Sequence, residues 1–194
     1  MKKIVLLFVI VWGTTVSGQM FIKNGVKSFL GQKAPDIVVE EWFGQKPEFD
    51  GKFILLEFWA VKCHPCREAI PHLNALYNRF KSEVAFVSMC PDNREKIEKM
   101  RIPVYGEGGG VERWEKPEIE YPVAIDTLER TRKAFELRFI PYAVVIDPSG
   151  IVRWEGMPVQ LTAEVMERLL LDEKNLKESL AKNQENKKKK SYKK

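Results

Sequence analysis

An apolar segment, two closely spaced cysteines and an amphipathic segment follow one another in residues 52–81. Residues 52–59, KFILLEFW, are mostly apolar, β-branched or aromatic, which is typical of a buried strand. Cys63 and Cys66 come next, and apolar residues then recur every three or four positions through residue 80, which predicts a helix. A strand that leads through a Cys-x-x-Cys motif into a helix predicts a layered α/β fold.

Further strand and helix candidates alternate along the chain. Strands are predicted at residues 37–39, 84–88, 123–125, 143–146 and 151–154, and helices at residues 93–100, 131–137 and 162–171. The last two strands form a hairpin around the turn DPSG, and Pro71 predicts a kink near the start of the helix that follows the cysteines. We therefore predict one α/β domain with a central mixed β-sheet that helices flank.

Residues 101–122, RIPVYGEGGGVERWEKPEIEYP, interrupt this alternation. Three consecutive glycines at 108–110 and three prolines disfavour regular structure over much of the stretch. It is not a phosphate-binding loop, because no Gly-Lys-Ser/Thr sequence follows the glycines. We predict an inserted irregular loop, which is either a surface excursion or a lid that faces a partner.

The two ends of the chain differ from the predicted domain, which spans residues 19–172. Residues 1–18 begin with Lys2 and Lys3, continue with nine apolar residues and end in Val-Ser-Gly. This pattern predicts a secretory signal peptide, since the apolar run is too short for an ordinary membrane span, and an uncleaved signal anchor is the alternative. Residues 173–194 are rich in lysine and have few apolar side chains, which predicts a frayed helix that passes into a disordered basic tail.

The positive charge of the chain belongs to its ends. The net charge is +5, but nine lysines and three glutamates give residues 173–194 a charge of +6. Residues 19–172 contain 21 basic and 24 acidic residues, so the predicted domain carries a charge of −3. A nucleic-acid-binding surface should be part of the fold, so this distribution does not favour a nucleic-acid partner. The tail is predicted to be a solubilising end, with contact to anionic lipids as the alternative.

Three cysteines are too few for a disulfide-stapled scaffold, so the close pair must serve a more specific chemistry. Covalent haem attachment needs a histidine directly after the second cysteine, and Arg67 stands there. A structural zinc site needs four ligands, and the other candidates are only Cys90, His64 and His72. His64 lies between the two cysteines and is badly placed to join them on one ion. Copper is chemically allowed, but nothing in the sequence specifies it.

A redox-active pair fits the position of the motif best. At the start of a helix, backbone N–H groups and the helix dipole favour the thiolate of Cys63, which is the nucleophile in disulfide exchange. Lys62 and a protonated His64 beside it add positive charge. Cys66, one turn further on and more buried, is then the resolving thiol, and Pro65 stiffens the turn. The disulfide between the two cysteines would be the only redox group, without a metal or other cofactor.

The segment FWAVKCHPC, followed by Pro71, resembles the active-site segment of the thioredoxin superfamily, FWAxWCxxC with a proline five residues beyond the second cysteine. A second motif agrees with this resemblance. Ile140-Pro141-Tyr142 precedes the apolar strand AVVID, where thioredoxins carry a cis-proline before a similar strand. The resemblance covers roughly residues 30–171. The stretches WEKPEIEYPVAID and IPYAVVIDPSGIVRWEG look most like TlpA/ResA-type envelope thiol-disulfide oxidoreductases.

The resemblance implies a thioredoxin-like fold and roles for several residues outside the motif. Pro141 would lie against the cysteine pair and help to hold the substrate backbone, with Trp59 and Ile140 as neighbouring substrate contacts. Glu57, six residues before Cys63, would be the buried carboxylate that passes protons to and from the resolving thiol. Burial in an apolar strand predicts a raised pKa for this carboxyl group. The alternative is a Glu57 that faces an edge or solvent and has no role.

Three departures from the superfamily pattern affect what the resemblance implies. Lys62 stands where the superfamily usually has Trp, which predicts different partner contacts. Ala69 stands where many TlpA/ResA-like proteins carry a Glu. A charged His64 would stabilise the reduced form and shift the couple toward the oxidising end, so the direction of electron flow stays open. Cys90, at the end of a predicted strand, is expected to be a small buried residue, with an extra resolving thiol as the alternative.

These observations favour an exported, periplasmic thiol-disulfide oxidoreductase. Such an enzyme acts on protein disulfides and is reset by a redox partner, and it works as a reductase or, alternatively, as an isomerase or oxidant. A peroxiredoxin-like antioxidant is the second hypothesis, but Ala60 stands three residues before Cys63, where peroxiredoxins need Thr. A non-enzymatic metal-binding or partner-binding module is the third, supported only by the 101–122 loop and the basic tail. Membrane contact is expected only through an uncleaved signal or that tail.

Overall fold

A six-stranded mixed sheet forms the centre of the computed structural model, which describes residues 27–105 and 109–191. The strands are β1 (Glu41–Phe43), β2 (Phe53–Phe58), β3 (Val84–Cys90), β4 (Ile102–Tyr105), β5 (Val111–Glu115), β6 (Val123–Ile125), β7 (Tyr142–Ile146) and β8 (Val152–Gly156). The α-helices are α1 (His64–Glu68), α2 (Ile70–Phe80), α3 (Arg94–Glu98), α4 (Arg130–Ala134) and α5 (Ala163–Ser191), and a 3-10 helix spans Pro158–Gln160. The predicted signal peptide at residues 1–18 lies outside the described residues.

The main sheet has the strand order β1-β6-β3-β2-β7-β8, which confirms the predicted mixed α/β architecture. Strands β2, β3 and β6 run parallel to one another. Strand β1 pairs antiparallel with β6, and β7 pairs antiparallel with both β2 and β8. The carboxyl ends of the three parallel strands meet at one edge of the sheet, so the turn with the two cysteines and the segments after β3 and β6 converge there.

Alternate side chains of β2 enter hydrophobic clusters on the two faces of the sheet. Leu55 packs with Leu73 of α2 and Met166 of α5 on one face. Leu56 and its neighbours pack with Phe135 on the other face. Full burial of an aliphatic side chain of this size stabilises a fold by roughly 1.5–3 kcal/mol. The strand that leads to the cysteines is therefore fixed from both sides.

The helix after the cysteines is divided where Pro71 predicts a kink. Helix α1 ends at Glu68, and α2 begins at Ile70 with Pro71 in its first turn. The buried face of α2 carries the predicted apolar residues Ile70, Leu73, Leu76 and Phe80. Helices α3 and α4 form where the sequence predicts them, although both are shorter than predicted.

The first strand is not where the sequence pattern placed it. Residues 37–39 lie outside any strand, and β1 forms at Glu41–Phe43 instead. The backbone groups of Val38 bond to a side chain: its N–H donates to Thr131 Oγ1 at 2.8 Å, and its carbonyl accepts from the same hydroxyl at 3.1 Å. The hydroxyl of Thr131 in α4 thus satisfies the backbone groups of Val38 that would pair with a neighbouring strand in a sheet.

The predicted irregular loop contains a β-hairpin, so the prediction was wrong for its first part. Strands β4 and β5 pair antiparallel, with Ile102 opposite Glu115. The pair forms a two-stranded sheet of its own, in which both strands are edges, and a proline such as Pro103 is tolerated on an edge. Gly109, with φ of 75°, supplies the left-handed conformation that the connection needs. Residues 116–122 have no helix or strand, as predicted.

The last helix continues to Ser191 rather than ending at Leu171. Past Asp172 the sequence lacks Gly and Pro and is rich in Lys, Glu and other good helix formers. Pairs one turn apart, such as Glu173 with Lys177, add support. The frayed helix predicted for residues 173–194 is therefore continuous as far as Ser191. None of the helices in the described part of the chain combines the length and hydropathy that a membrane span requires.

Candidate active site

A disulfide joins Cys63 to Cys66 at the start of α1, with 5.3 Å between their Cα atoms. Cys63 is the N-cap residue of this helix, and the N–H of Cys66 donates to its Sγ at 3.3 Å. Cys63 is half-buried, whereas Cys66 is only 1% exposed. Only Cys63 can therefore meet a bulky thiol or disulfide from solvent. The backbone N–H of Cys66 is placed to stabilise a Cys63 thiolate in the reduced form.

A buried cluster encloses Cys66 from below. Its members are Trp59, Cys66, Ile70, Cys90, Ile97, Met100, Val123 and Ile125, with Cys63 and Ile140 packed against it. Trp59 is 3% exposed, and its indole N–H has no acceptor among the described residues. The side chain of Trp59 therefore supports the disulfide from beneath, and the substrate contact that the resemblance implied for it is not available on this surface.

The Ile140–Pro141 peptide bond is cis, as the resemblance implies. Pro141 is buried, Ile140 is half-buried, and Phe139 beside them is 36% exposed. Of the residues expected to contact substrate, Ile140 is thus the partly exposed one, and it packs against the same cluster as Cys63. The part of Pro141 in holding a substrate backbone stays a prediction.

His64 lies between two charged side chains of the same short helix. Its Nδ1 is 3.4 Å from Nη2 of Arg67, and its Nε2 is 3.2 Å from Oε1 of Glu68. A guanidinium only donates, so Nδ1 is the acceptor in the contact with Arg67, and Nε2 is the ring nitrogen that faces the carboxylate. Arg67 is a further cation beside the motif, in addition to Lys62, and sequence reasoning used it only to exclude haem.

Glu57 is enclosed beneath the motif, on the strand that leads to it. It is 2% exposed, and its Oε2 accepts a short 2.5 Å hydrogen bond from the Ser88 hydroxyl on the neighbouring strand β3. Burial raises the pKa of Glu57 from 4.5 to about 8, although the bond from Ser88 opposes the shift. The carboxyl group can therefore hold or release a proton near neutral pH, as the sequence predicted for a buried carboxylate.

Ser88 is a second residue that sequence reasoning missed, and it leads to a prediction. We expect Ser88→Ala to raise the pKa of Glu57 further, because it removes the bond that stabilises the carboxylate. Ser88→Thr keeps the hydroxyl and serves as the control. A ¹³C NMR titration of the Glu57 carboxyl in the oxidised protein measures both variants. A pKa that is equal in wild type and Ser88→Ala would contradict the role of this bond.

Asp92 ties the cysteine turn to the end of β3. Its Oδ2 accepts the N–H of Val61 at 2.9 Å, two residues before Cys63. The same oxygen lies 3.9 Å from Cys90 Sγ, and Oδ1 is 3.1 Å from Nζ of Lys96. In the sequence, this residue simply precedes the predicted helix at residues 93–100. The available signal was its position two residues past the end of a buried parallel strand, at the edge of the sheet where the site forms.

We expect Asp92→Ala to lower the free energy of unfolding by about 1–3 kcal/mol, because the Val61 N–H loses its acceptor. Asp92→Asn keeps an acceptor oxygen and removes only the charge, so it should cost clearly less. The ion pair with Lys96 contributes little, since that lysine is well exposed. Urea unfolding of the two oxidised variants measures the difference. Equal losses would show that the charge, and not the hydrogen bond, holds the turn.

Cys90 is fully buried, and its surroundings keep the thiol protonated. Burial raises the pKa of Cys90 to about 12, and the nearby carboxylates of Asp92 and Glu57 add to the shift. This agrees with a small buried residue. Residues 27–105 and 109–191 contain no group of three or more His, Cys, Asp or Glu side chains that could hold a metal ion.

The sequence model of the AhpC/TSA family matches residues 30–155. This chain belongs to the AhpC/TSA family. Among curated proteins, it is 29% identical to the thiol-disulfide oxidoreductase ResA of Bacillus cereus (strain ATCC 10987 / NRS 248) over 181 residues, which covers 88% of this chain and 97% of that protein. It is 26% identical to the thiol-disulfide oxidoreductase ResA of Bacillus subtilis (strain 168) over 154 residues, covering 77% and 78%.

Solved structures show that this AhpC/TSA family member has a thioredoxin-like fold. A protein of Chlorobium tepidum assigned as a thiol:disulfide interchange protein DsbE superposes with a TM-score of 0.52 at 23% identity, covering 74% of this chain and 96% of that one. The reduced 2-Cys peroxiredoxin of Plasmodium vivax gives the same TM-score at 17% identity, covering 78% and 99%. Both a disulfide interchange protein and a peroxiredoxin share the fold, so the choice of chemistry depends on the site.

Proposed function

We propose that this AhpC/TSA family member is a thiol-disulfide oxidoreductase that acts on protein disulfides through Cys63 and Cys66. The observation that carries the proposal is the asymmetry of the pair, in which an accessible Cys63 is bonded to an enclosed Cys66 at the start of a helix. An attacking thiol needs access, whereas a resolving thiol needs only to reach its neighbour. The curated relatives named as thiol-disulfide oxidoreductases support the same function.

The geometry fits a reaction in two exchange steps. In the reductase direction, the thiolate of Cys63 attacks one sulfur of a substrate disulfide, so that the substrate S–S bond breaks and a mixed disulfide forms. The thiolate of Cys66 then attacks Cys63 Sγ and displaces the second substrate sulfur. Two electrons pass to the substrate, which leaves as two thiols, and the protein is left with the disulfide seen here. A redox partner must then reduce the pair.

Glu57 is proposed to move the proton of the resolving thiol. It lies on the strand beneath the motif, and its raised pKa lets it accept a proton from Cys66 as that thiol attacks. The same carboxyl group returns the proton when Cys66 leaves during reduction of the pair. Lys62, His64 and Pro65 complete the turn, and we propose that they adjust the redox poise of the couple.

Export to the periplasm is part of the proposal, and its support is the sequence pattern of residues 1–18. Stable protein disulfides, the proposed substrates, form and persist in exported compartments and are rare in the cytosol. Mass spectrometry of the protein purified from the envelope of its host tests this point. Cleavage after Gly18 would leave Gln19 as the first residue, whereas an intact N-terminus in a membrane fraction would indicate the tethered alternative.

Insulin reduction tests the proposed activity. We expect the wild-type protein to reduce insulin with dithiothreitol as electron donor, well above the rate of dithiothreitol alone, and Cys63→Ser to fall to that background. Cys90→Ser is the matched control, since Cys90 is a buried cysteine outside the pair. Failure to reduce insulin, together with rapid consumption of hydrogen peroxide, would favour a peroxiredoxin instead.

A further inference from the structure

Three basic residues belong to the two segments that carry Cys63 and Ile140. Lys62 directly precedes Cys63 and is exposed, and Arg67 lies one helical turn beyond it and is half-buried. Arg138 is exposed and stands two residues before Ile140, whose side chain packs against the same cluster as Cys63. We refer to Lys62, Arg67 and Arg138 as the cationic rim.

The charges of the cationic rim are not neutralised within the protein. Across residues 27–105 and 109–191, none of the three side chains forms an ion pair with a carboxylate. The Arg67 guanidinium instead contacts neutral acceptors, the carbonyl of Val61 at 3.3 Å and Nδ1 of His64. The acidic side chain in the same helix, Glu68, contacts the other nitrogen of His64. The cationic rim therefore presents net positive charge to whatever approaches Cys63.

The rest of the domain has the opposite character. Residues 19–172 carry a net charge of −3. Several arginines outside the rim are paired with carboxylates, namely Arg79, Arg94, Arg130, Arg132 and Arg153. A local cationic surface on an anionic domain attracts acidic partners to one place and repels basic ones.

We propose that the cationic rim selects protein disulfides whose flanking residues are acidic. This inference rests on the proposed thiol-disulfide exchange and names its preferred substrate class. Phe139 and Ile140 offer an apolar surface beside the rim, so a segment with an apolar residue between the cysteine and its acidic neighbours fits best.

Three synthetic peptides test the inference. They have equal length and one disulfide each, and they differ only in two flanking residues, which are Asp, Asn or Lys. Each rate of reduction by the reduced protein is divided by the rate with dithiothreitol, whose reactive thiolate has no basic residues around it, to remove intrinsic differences between the peptides. We expect the Asp peptide to react about tenfold faster than the Lys peptide at low salt. In 0.5 M NaCl this difference should shrink, because salt reduces the range of charge interactions to a few ångströms.

Charge reversal shows whether the rim causes the preference. In the double variant Lys62→Glu/Arg138→Glu, we expect the ratio of Asp to Lys peptide rates to fall below one. Lys46→Glu is the control for a charge reversal away from the motif. This exposed lysine lines a cavity with Ile54 at the far end of β2, and its reversal should keep the wild-type ratio.

The outcomes separate the inference from the proposed function. Equal rates for the three peptides, or a double variant that keeps the wild-type ratio, would overturn the cationic rim as a selector and leave the exchange reaction standing. Reduction of none of the peptides would overturn both. Because the readout is a ratio of rates within one protein, a general change in the reactivity of Cys63 does not affect it.

Discussion

Cys66→Ser is expected to accumulate a covalent complex with a protein disulfide substrate. Cys63 is the accessible cysteine of the pair, so in this variant it can still attack and form a mixed disulfide. A serine hydroxyl cannot displace the substrate thiol, and the complex persists. In the wild type, the attack by Cys66 is intramolecular, and such an attack by a well-placed group has an effective concentration of about 10⁵ M or more. Because Cys66→Ser lacks this attack, we expect its turnover to fall by about 10³-fold or more.

Non-reducing gel electrophoresis and mass spectrometry of the complex check this prediction. Cys63→Ser should form no complex, because the remaining cysteine of the pair is 1% exposed. Cys90→Ser should turn over like the wild type, since burial raises the pKa of Cys90 to about 12 and keeps that thiol unreactive. A complex through Cys66 in the Cys63→Ser variant would reverse the roles that we assign to the two cysteines.

Glu57→Gln is expected to slow the steps in which Cys66 gains or loses a proton by about 100-fold, the lower end of what general acid-base catalysis contributes. Reduction of the Cys63–Cys66 disulfide by dithiothreitol isolates one such step. Dithiothreitol attacks the sulfur of Cys63, and Cys66 is then the leaving thiolate, which takes up a proton. The ratio of wild-type to variant rates removes the pH dependence of the reductant. This ratio should fall toward one as pH rises past about 8, where Glu57 loses its proton. A ratio that is constant from pH 6 to pH 9 would contradict the role of Glu57.

The same variant should change how stability depends on pH. The pKa of Glu57 is raised from 4.5 to about 8 in the folded protein, so the native state keeps a proton that the unfolded chain releases. This contribution to stability is fully present below pH 4.5 and is lost as pH rises to about 8, by no more than about 5 kcal/mol in total. Glu57→Gln cannot titrate and lacks this loss. Urea unfolding of the oxidised proteins at pH 5 and pH 9 measures the difference between them.

Features with strong local patterns were predictable from the sequence. The buried strand before the cysteines, the kink at Pro71 and the terminal hairpin follow from periodicity and turn residues, which report burial directly. The cysteine pair was recognisable for the same reason, since its position between strand and helix is a local property. Glu57 stood out because it is the one acidic residue in an apolar strand.

The parts that failed depend on contacts between distant residues. Residues 37–39 look like a strand, but Thr131 takes the backbone groups of Val38 from 93 residues away. The glycines and Pro103 suggested an irregular loop at residues 101–115, whereas an isolated two-stranded sheet tolerates both residue types. Asp92 and Ser88 are ordinary polar residues along the chain. Their importance appears only when the fold brings Asp92 to the turn before Cys63 and Ser88 to Glu57.

The reduction potential of the Cys63–Cys66 couple tests the central claim most directly. The mature protein is equilibrated with glutathione or dithiothreitol buffers of graded poise, and free thiols are trapped and counted by mass. We predict a single two-electron transition. A reduction potential near that of thioredoxin, about −270 mV, indicates a reductase, and a potential at or above about −180 mV indicates an isomerase or oxidant. If the two thiols remain unpaired at every poise, the pair is not a redox couple and the proposed function is wrong.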